Sequence, residues 1–177
     1  IYVSKNIDLL TKMKFPENTY DFKKNRVLLS HLNIELPLVK FDAMLAKYLI
    51  STTEDNKIST IARLFNSGHL ATDEEIFGKG TKIALPDDAV LFEHLARKIK
   101  VLAFAKEKMM AELLENEQEH LLSDMELPLA EVLAKMEITG IAVSQNTLEE
   151  IGAENEEKLA SLTREIYDLA GEEFNIN

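Results

Sequence analysis

The spacing of apolar residues divides the chain into short alternating elements followed by long helices. Up to about residue 86, the helical patterns are brief and are separated by polar or extended stretches. From Asp88 onward, apolar residues recur every three or four positions at Leu91, Leu95, Ile99, Leu102, Met109 and Leu113. This spacing places their side chains along one face of an α-helix and therefore predicts one long helix.

Capping residues mark the starts of several shorter helices. Asp21 and Asp42 each precede a helical pattern, and Thr72 with Glu75 forms a capping-box sequence. Side-chain oxygens at such positions accept hydrogen bonds from the free N–H groups of a first helical turn. Another short helix is predicted over 57–65, and a last one opens at Ser144 or Asn146 and stops at Gly171, a good left-handed terminator.

Extended segments are fewer and shorter than the helices. The triplet Ile1 to Val3 is β-rich and precedes Ser4, a good helix cap. The stretch IELPLVKF at 34–41 looks extended, but Pro37 demotes it to an edge or irregular strand. A second proline, Pro128, is expected to bend or restart the helical stretch 117–137. Strands interleaved with helices predict an α/β fold.

Charge is distributed unevenly along the 177 residues. Residues 1–106 carry 16 Lys or Arg against 13 Asp or Glu, whereas residues 107–177 carry 4 against 18, for a net charge of -11. The change of sign indicates two regions, which we divide near residue 118. The negative total argues against a stand-alone nucleic-acid binder and predicts weak, salt-sensitive DNA affinity. The absence of Cys and of any long apolar run predicts a cytoplasmic protein outside the membrane.

No catalytic motif is evident from residue types and spacing alone. The four histidines are not paired at metal-ligand spacing, and Glu117, His120 and Asp124 on one helix face are more typical of a solvated acidic surface. The Gly78-Lys79-Gly80 segment lacks the length of a phosphate-binding loop and is interpreted as a turn. The acidic residues Asp73, Glu74 and Glu75 are interpreted as charge that favours a helix N-terminus.

Two long stretches carry a family resemblance. ELPLAEVLAKMEITGIAV at 126–143 and IYDLAGEEFNI at 166–176 closely resemble the family A DNA polymerases, the family of bacterial DNA polymerase I. The resemblance implies a partial ribonuclease H-like 3'-5' exonuclease fold followed by long helices leading into the polymerase thumb. Residues 1–118 would form a vestigial exonuclease-like domain lacking its first strands, and residues 119–177 the N-terminal helices of the polymerase domain.

The same resemblance implies that the proofreading site has degenerated. Proofreading members hold two metal ions with an Asp-x-Glu on the first strand, an Asp in a middle motif and a Tyr-x-x-x-Asp on a late helix. The first motif has no counterpart here, the middle Asp falls on Asn25, the Tyr on His94 and the last Asp on Lys98. A cation at 98 would repel divalent metal. No metal or other cofactor is therefore expected in this chain, although Mg²⁺ is implied for the parent polymerase.

These implications predict a structural part of a polymerase of replication and repair, without turnover of its own. Two alternatives stay open: residual 3'-5' exonuclease activity, and an acidic helical interaction module that uses the apolar seam 159–169. The expected partners are DNA through the parent polymerase and the remainder of the polymerase chain. Self-association is also expected, because a sheet without its first strands exposes backbone groups along Ile1 to Val3.

Overall fold

The structure is a computed structural model that describes residues 7–176, apart from the side chains of Ile7 and Thr11. The strand predicted at Ile1 to Val3 and the cap predicted at Ser4 lie outside the described residues. The chain forms two compact units, of which one ends at Thr139 and the other begins at Gly140. This division reflects packing, and the predicted domain boundary at residue 118 stays a prediction about the parent polymerase.

The first unit is mostly helical, with a short sheet near its beginning. It opens with a 3₁₀ turn at Ile7–Lys12. The strands are β1 (Asn18–Thr19) and β2 (Phe41–Asp42). The helices are α1 (Phe22–Ser30), α2 (Ala43–Ile50), α3 (Ile58–Leu64), α4 (Asp73–Phe77), α5 (Asp88–Glu115) and α6 (Leu127–Thr139). The helices predicted to begin near Asp21, Asp42, residue 57, Thr72 and Asp88 are present. The helix expected after Ser4 is a 3₁₀ turn, and the stretch predicted over 117–137 divides into a π-helical turn and α6.

The two strands pair in parallel, with Asn18 opposite Phe41 and Thr19 opposite Asp42. Only the end of the predicted segment 34–41 joins this pairing, and residues 34–39 have no regular secondary structure. Pro37 lacks the N–H group that a ladder requires, which accounts for the irregular backbone there. Apolar side chains of the segment 34–41 still reach the core, since Leu36 and Val39 are buried.

Strand register brings the beginnings of two helices to one carboxylate, that of Asp42. This side chain is fully buried. It accepts hydrogen bonds from the backbone N–H groups of Met44 and Leu45 at the start of α2, and from those of Asp21 and Phe22 at the start of α1. Burial raises the pKa of the Asp42 carboxyl, although the four N–H groups oppose the shift. The predicted cap of α2 is therefore also a second cap for α1.

The long helix α5 has 28 residues and packs against α2 and α3. Its fully buried side chains are His94, Val101, Ala105, Met109 and Leu113. The predicted apolar stripe is thus correct at Met109 and Leu113, while Leu91, Leu95 and Leu102 are half-buried and Ile99 is exposed. The difference arises because the buried face of α5 runs through His94, Val101 and Ala105, and hydropathy does not mark a histidine as a core residue.

A π-helical turn at Leu121–Glu126 leads directly into α6. In this turn the Leu127 N–H donates to the carbonyl of Leu122, five residues earlier. Pro128 follows at once; it has no N–H to continue the ladder, and its ring would collide with the carbonyl four residues before it. The wider turn accommodates the proline, so the helix restarts there as the sequence predicts.

The second unit contains α7 (Gln145–Ala170). Ser144 caps it by accepting a hydrogen bond from the Thr147 N–H, and Gly171 ends it in a left-handed conformation, as predicted. None of the helix residues is buried, and the predicted seam is exposed along its length at Leu159, Leu162, Ile166 and Leu169. Across residues 7–176, no helix combines the length and the apolar character needed to cross a membrane.

Candidate functional site

Helix α4 is short, and its first turn is fixed by a capping box. The Thr72 hydroxyl accepts a hydrogen bond from the Glu75 N–H, and the Glu75 carboxylate accepts one from the Thr72 N–H. Two free N–H groups are satisfied in this way, which explains why a helix of five residues forms here. The capping box also fixes the position of Asp73, the first residue of α4.

The Asp73 carboxylate contacts two residues of α5 that are four positions apart. The Nε2 atom of His94 lies 2.8 Å from Asp73 Oδ1. The Lys98 ammonium donates a hydrogen bond to Asp73 Oδ2 at 2.8 Å and forms an ion pair with Oδ1 at 2.6 Å. Because residues at i and i+4 share a helix face, one carboxylate can contact both side chains. We refer to Asp73, His94 and Lys98 as the Asp73 cluster.

The Asp73 cluster lies at the edge of the core. The His94 side chain is 2% exposed, whereas that of Asp73 is 57% exposed. The ring of Phe77 meets the His94 ring edge to face, with centroids 5.9 Å apart. Because an ionised carboxylate only accepts hydrogen bonds, the bond to Asp73 requires the hydrogen to be on Nε2 of His94. The arrangement fixes both the ring and its tautomer.

The electrostatics of the cluster favour an ionised Asp73. Burial opposes the charge, but hydrogen bonds from His94 and Lys98, together with the charge of Lys98, hold the pKa of the Asp73 carboxyl below its ordinary value of 3.8. Asp73 is therefore a counter-ion to Lys98 at neutral pH. In that role it has no proton to donate as a general acid.

Asn25, the third of the predicted site residues, makes its hydrogen bonds elsewhere. It lies in α1, and its side-chain nitrogen donates to the Tyr20 carbonyl at 2.8 Å and to the Thr19 hydroxyl at 3.0 Å. These two bonds use both amide hydrogens and attach α1 to the end of β1. The structure thus brings His94 and Lys98 together around Asp73, while Asn25 belongs to a separate hydrogen-bond network.

Tyr20 is a phenol near these groups that the sequence analysis did not single out. Its hydroxyl donates to the carbonyl of Asn56 at 2.9 Å. Burial, and then the charges of Asp21, Asp42, Asp73 and Asp55, raise the pKa of Tyr20 to about 12. The phenol is therefore neutral and occupied at physiological pH. It attaches the loop before α3 to the start of α1.

The predicted site residues do not fit a magnesium ion. Mg²⁺ prefers carboxylate and other oxygen ligands in octahedral geometry. Positions 25, 94 and 98 offer an amide, an imidazole bonded to Asp73 and an ammonium group. Across the described part of the chain, no group of three or more His, Asp or Glu side chains is arranged to hold a metal. At the acidic face named above, His120 approaches Asp124 to 3.5 Å but is 81% exposed.

Asp73 is the residue that sequence reasoning missed. The sequence pattern indicates only that Asp73 adds negative charge to the start of a helix. In the structure its carboxylate contacts His94 and Lys98, which follow it in the chain by 21 and 25 positions. The sequence does offer one signal, since His94 and Lys98 are four residues apart and therefore lie on one face of the predicted helix. Such a pair predicts a carboxylate on a neighbouring element, although spacing alone does not identify which one.

Replacing Asp73 with alanine is expected to destabilise the first unit by about 1–3 kcal/mol, because the buried His94 N–H then has no acceptor. The carboxyl has a lowered pKa in the folded state, so its contribution is present above pH 3.8, the ordinary pKa, and is lost as pH falls through the folded-state pKa. Urea unfolding of both proteins at neutral and acid pH measures this difference.

The matched control for this substitution is Glu74→Ala. Glu74 lies in the same turn and has a similar exposure, but its nearest cations, Lys79 and Lys57, are 3.6 Å and 3.9 Å away. Its loss is expected to change stability by less than about 0.5 kcal/mol. Equal effects of the two substitutions, or a difference that does not become smaller as the pH is lowered below 3.8, would contradict the assigned role of Asp73.

Comparison with known families gives this arrangement a context. Residues 4–104 match the family described as "DNA polymerase I, ribonuclease H-like domain". The matched region covers more than half of the chain and contains α1 to α4, the Asp73 cluster and most of α5. The chain belongs to this family, and the predicted α/β, ribonuclease H-like fold class is confirmed.

Curated relatives identify the larger protein in which this domain occurs, DNA polymerase I. The chain is 99% identical over 177 residues to DNA polymerase I of Lactococcus lactis subsp. lactis (strain IL1403), and covers 20% of that protein. It is 48% identical over 184 residues to DNA polymerase I of Streptococcus pneumoniae (strain R6) and covers 21% of that protein. It is 42% identical over 159 residues to DNA polymerase I of Geobacillus stearothermophilus and covers 18% of that protein. The Lactococcus and Streptococcus matches include the whole chain, and the Geobacillus match includes 89% of it. The chain spans about a fifth of the length of these relatives.

A solved structure agrees with the sequence matches. The chain resembles the POL domain of Pol1 from M. smegmatis in complex with DNA primer-template and dNTP, with a TM-score of 0.60 and 27% sequence identity. The match covers 88% of this chain and 24% of that one. The similarity therefore extends beyond the ribonuclease H-like domain into the later helices.

Proposed function

We propose that this chain is a structural part of a DNA polymerase I in which the proofreading site is inactive. The observation that carries the proposal is the ion pair between Lys98 and Asp73. The family resemblance places a metal-binding carboxylate at position 98, and an ammonium group stands there instead. Its charge repels a divalent cation, and it already neutralises the Asp73 carboxylate at 2.6 Å.

The other two positions support the same proposal. At position 94, where a tyrosine is expected to orient water, the imidazole is buried and bonded to Asp73. At position 25, the amide donates both hydrogens to β1 and its flanking backbone. Each side chain that replaces a catalytic group thus makes internal contacts. These contacts hold α1, α4 and α5 in place, so the three side chains support a structural role.

We propose that the whole protein has the activity expected of its relatives, which are DNA polymerase I proteins. Template-directed DNA synthesis, DNA as substrate and partner, Mg²⁺ as the metal of the polymerase site, and a cytoplasmic location are all expected of a polymerase of this family. The solved neighbour was obtained with primer-template DNA and a dNTP. These expectations come from the relatives and not from individual residues of this chain.

The exposed seam of α7 suggests how the second unit contributes. Leu159, Leu162 and Leu169 are all more than half exposed. Apolar surface of this kind is typical of a helix that packs against another protein surface. We propose that the α7 seam packs against the remainder of the polymerase. Self-association of the isolated chain stays a prediction. Partner binding that depends on Leu162 or Ile166 without any polymerase segment would favour the alternative of an acidic helical interaction module.

The purified chain is expected to leave single-stranded DNA intact in the presence of Mg²⁺ or Mn²⁺. A 5'-labelled oligonucleotide, incubated with the chain and resolved by denaturing electrophoresis, should show the same product level as a mock purification. Nucleotide release clearly above this level, abolished by a chelator, would support residual exonuclease activity instead.

The Asp73→Ala variant separates genuine activity from contamination. A nuclease carried over from expression cleaves equally in preparations of the native chain and of the variant. Cleavage by the Asp73 cluster, in contrast, must change when its carboxylate is removed. Chelator-sensitive cleavage that disappears in this variant would overturn the proposal of an inactive site.

A further inference from the structure

Two surface grooves meet at Asn66, away from the Asp73 cluster in sequence. One has a volume of about 570 Å³ and is lined by the end of α3 and the residues that follow it, including Arg63 and His69. The other, of about 550 Å³, lies between this segment and the middle of α5. Because Asn66 lines both, the two grooves are neighbours on the surface of the first unit, and we refer to the pair as one depression.

The α5 side of this depression presents a stripe of three residues, Lys100, Phe104 and Lys108, each one helical turn from the next. Residues four apart lie on one helix face, and eight residues of α-helix span about 12 Å. We call these three residues the Lys100 stripe. It stands out in a chain whose net charge is -11.

The two lysines are not neutralised by acidic partners. Among the described residues, no carboxylate lies within ion-pair distance of Lys100 or Lys108. The Lys108 ammonium donates to the Phe65 carbonyl at 2.7 Å and lies 4.5 Å from the centre of the Phe104 ring. Glu107 also lines this groove. On the opposite wall, Arg63 pairs with Glu54.

Phe104 is a large apolar side chain that is 50% exposed between these cations. An exposed aromatic ring flanked by lysines is the combination that proteins use to bind single-stranded nucleic acid, with a base on the ring and phosphates at the ammonium groups. An acidic peptide would use the lysines but would not need a flat aromatic surface. The observations therefore favour a nucleic-acid strand as the occupant.

We propose that the Lys100 stripe and the groove beside it bind a single strand of DNA, with one base stacked on Phe104 and the flanking phosphates near Lys100 and Lys108. The inference rests on the proposed function, in which DNA is the substrate and partner of the parent polymerase. The binding is weak and salt-sensitive, because the carboxylates of residues 107–177 repel the same phosphates.

Fluorescence anisotropy with a labelled oligo-dT at about 50 mM salt tests this proposal with the whole chain. Phe104→Ala and Phe104→Leu are both expected to weaken binding about tenfold, since stacking requires the ring and not apolar bulk. Lys100→Gln is expected to weaken binding about threefold and to reduce the steepness of the salt dependence by about 0.7. Circular dichroism melts establish that the variants remain folded.

Two matched controls lie outside the groove. Lys24→Gln removes the same charge from an exposed position on α1, and Tyr48→Ala removes a ring that is 47% exposed, close to the exposure of Phe104. Neither change is expected to alter binding more than about 1.5-fold, because their contribution is limited to net charge and unspecific contact.

Three results overturn the proposal. Equal losses for Lys24→Gln and Lys100→Gln indicate an unspecific charge effect. Unchanged affinity in both Phe104 variants excludes stacking. No detectable binding at 50 mM salt removes the site altogether. Each of these leaves the inactive-site proposal intact, because that proposal depends on cleavage and on Asp73. Conversely, cleavage lost on Asp73→Ala refutes the inactive site without affecting the Lys100 stripe.

Discussion

An Asp42→Ala variant is expected to lose about 3–5 kcal/mol of unfolding free energy, enough to leave much of the protein unfolded at 37 °C. The carboxylate is fully buried and accepts from four backbone N–H groups at the starts of α1 and α2. Alanine leaves the buried Phe22 N–H and the three partly buried N–H groups without this acceptor, and buried unpaired donors are costly. Urea unfolding monitored by circular dichroism measures the loss.

Thr72→Ala is the control for the Asp42 substitution. Thr72 also caps a helix, but it is not buried and accepts from one N–H group, that of Glu75. Its removal is expected to cost about 1 kcal/mol, the usual value of a single N-cap. If Asp42→Ala costs no more than Thr72→Ala, the carboxylate does not act as a cap for two helices.

An Arg26→Met variant is expected to lose about 2–4 kcal/mol and to loosen α6. Arg26 is buried in α1; its guanidinium donates to the Leu36 carbonyl at 2.9 Å and lies 3.4 Å from the Glu131 carboxylate on α6. Methionine keeps the apolar stem but leaves the carbonyl and the carboxylate without this donor. Amide hydrogen exchange should accelerate in residues 127–139 more than in α5.

Lys23→Met tests the same pair of helices at the surface. Lys23 in α1 forms an ion pair with Glu137 of α6, with side chains 41% and 51% exposed. An exposed pair of this kind contributes less than about 1 kcal/mol. A Lys23→Met effect as large as that of Arg26→Met would show that charge at this interface matters more than burial.

Local sequence signals predicted the elements of the fold because their causes are local. Asp21, Asp42 and Thr72 begin helices through hydrogen bonds to residues two or three positions away. Gly171 ends α7 because only a residue that tolerates positive φ fits there. Pro128 restarts a helix because its ring acts on the preceding turn. Each of these effects can be inferred from a few neighbouring residues.

Long-range contacts account for what the sequence did not reveal. The partners of the Asp73 carboxylate lie on another helix, and Asp42 caps α1 only because two strands pair in one register. Lys47 shows the same limit: it is fully buried and donates to the carbonyls of Ser51 and Glu54. A hydropathy pattern treats such a lysine as surface. Its position in the core follows from tertiary packing, which no single segment specifies.

The ion pair between Asp73 and Lys98 also has an evolutionary consequence. If position 98 carried the metal-binding carboxylate that the family resemblance implies, two carboxylates would lie against each other beside the buried His94, with no Lys98 ammonium between them. Neutralising Asp73 first would instead leave Lys98 and His94 without their acceptor. Each single substitution lowers stability before any catalytic gain is available. If the proofreading site is inactive as proposed, the Asp73–Lys98 ion pair therefore opposes the recovery of that site through single substitutions.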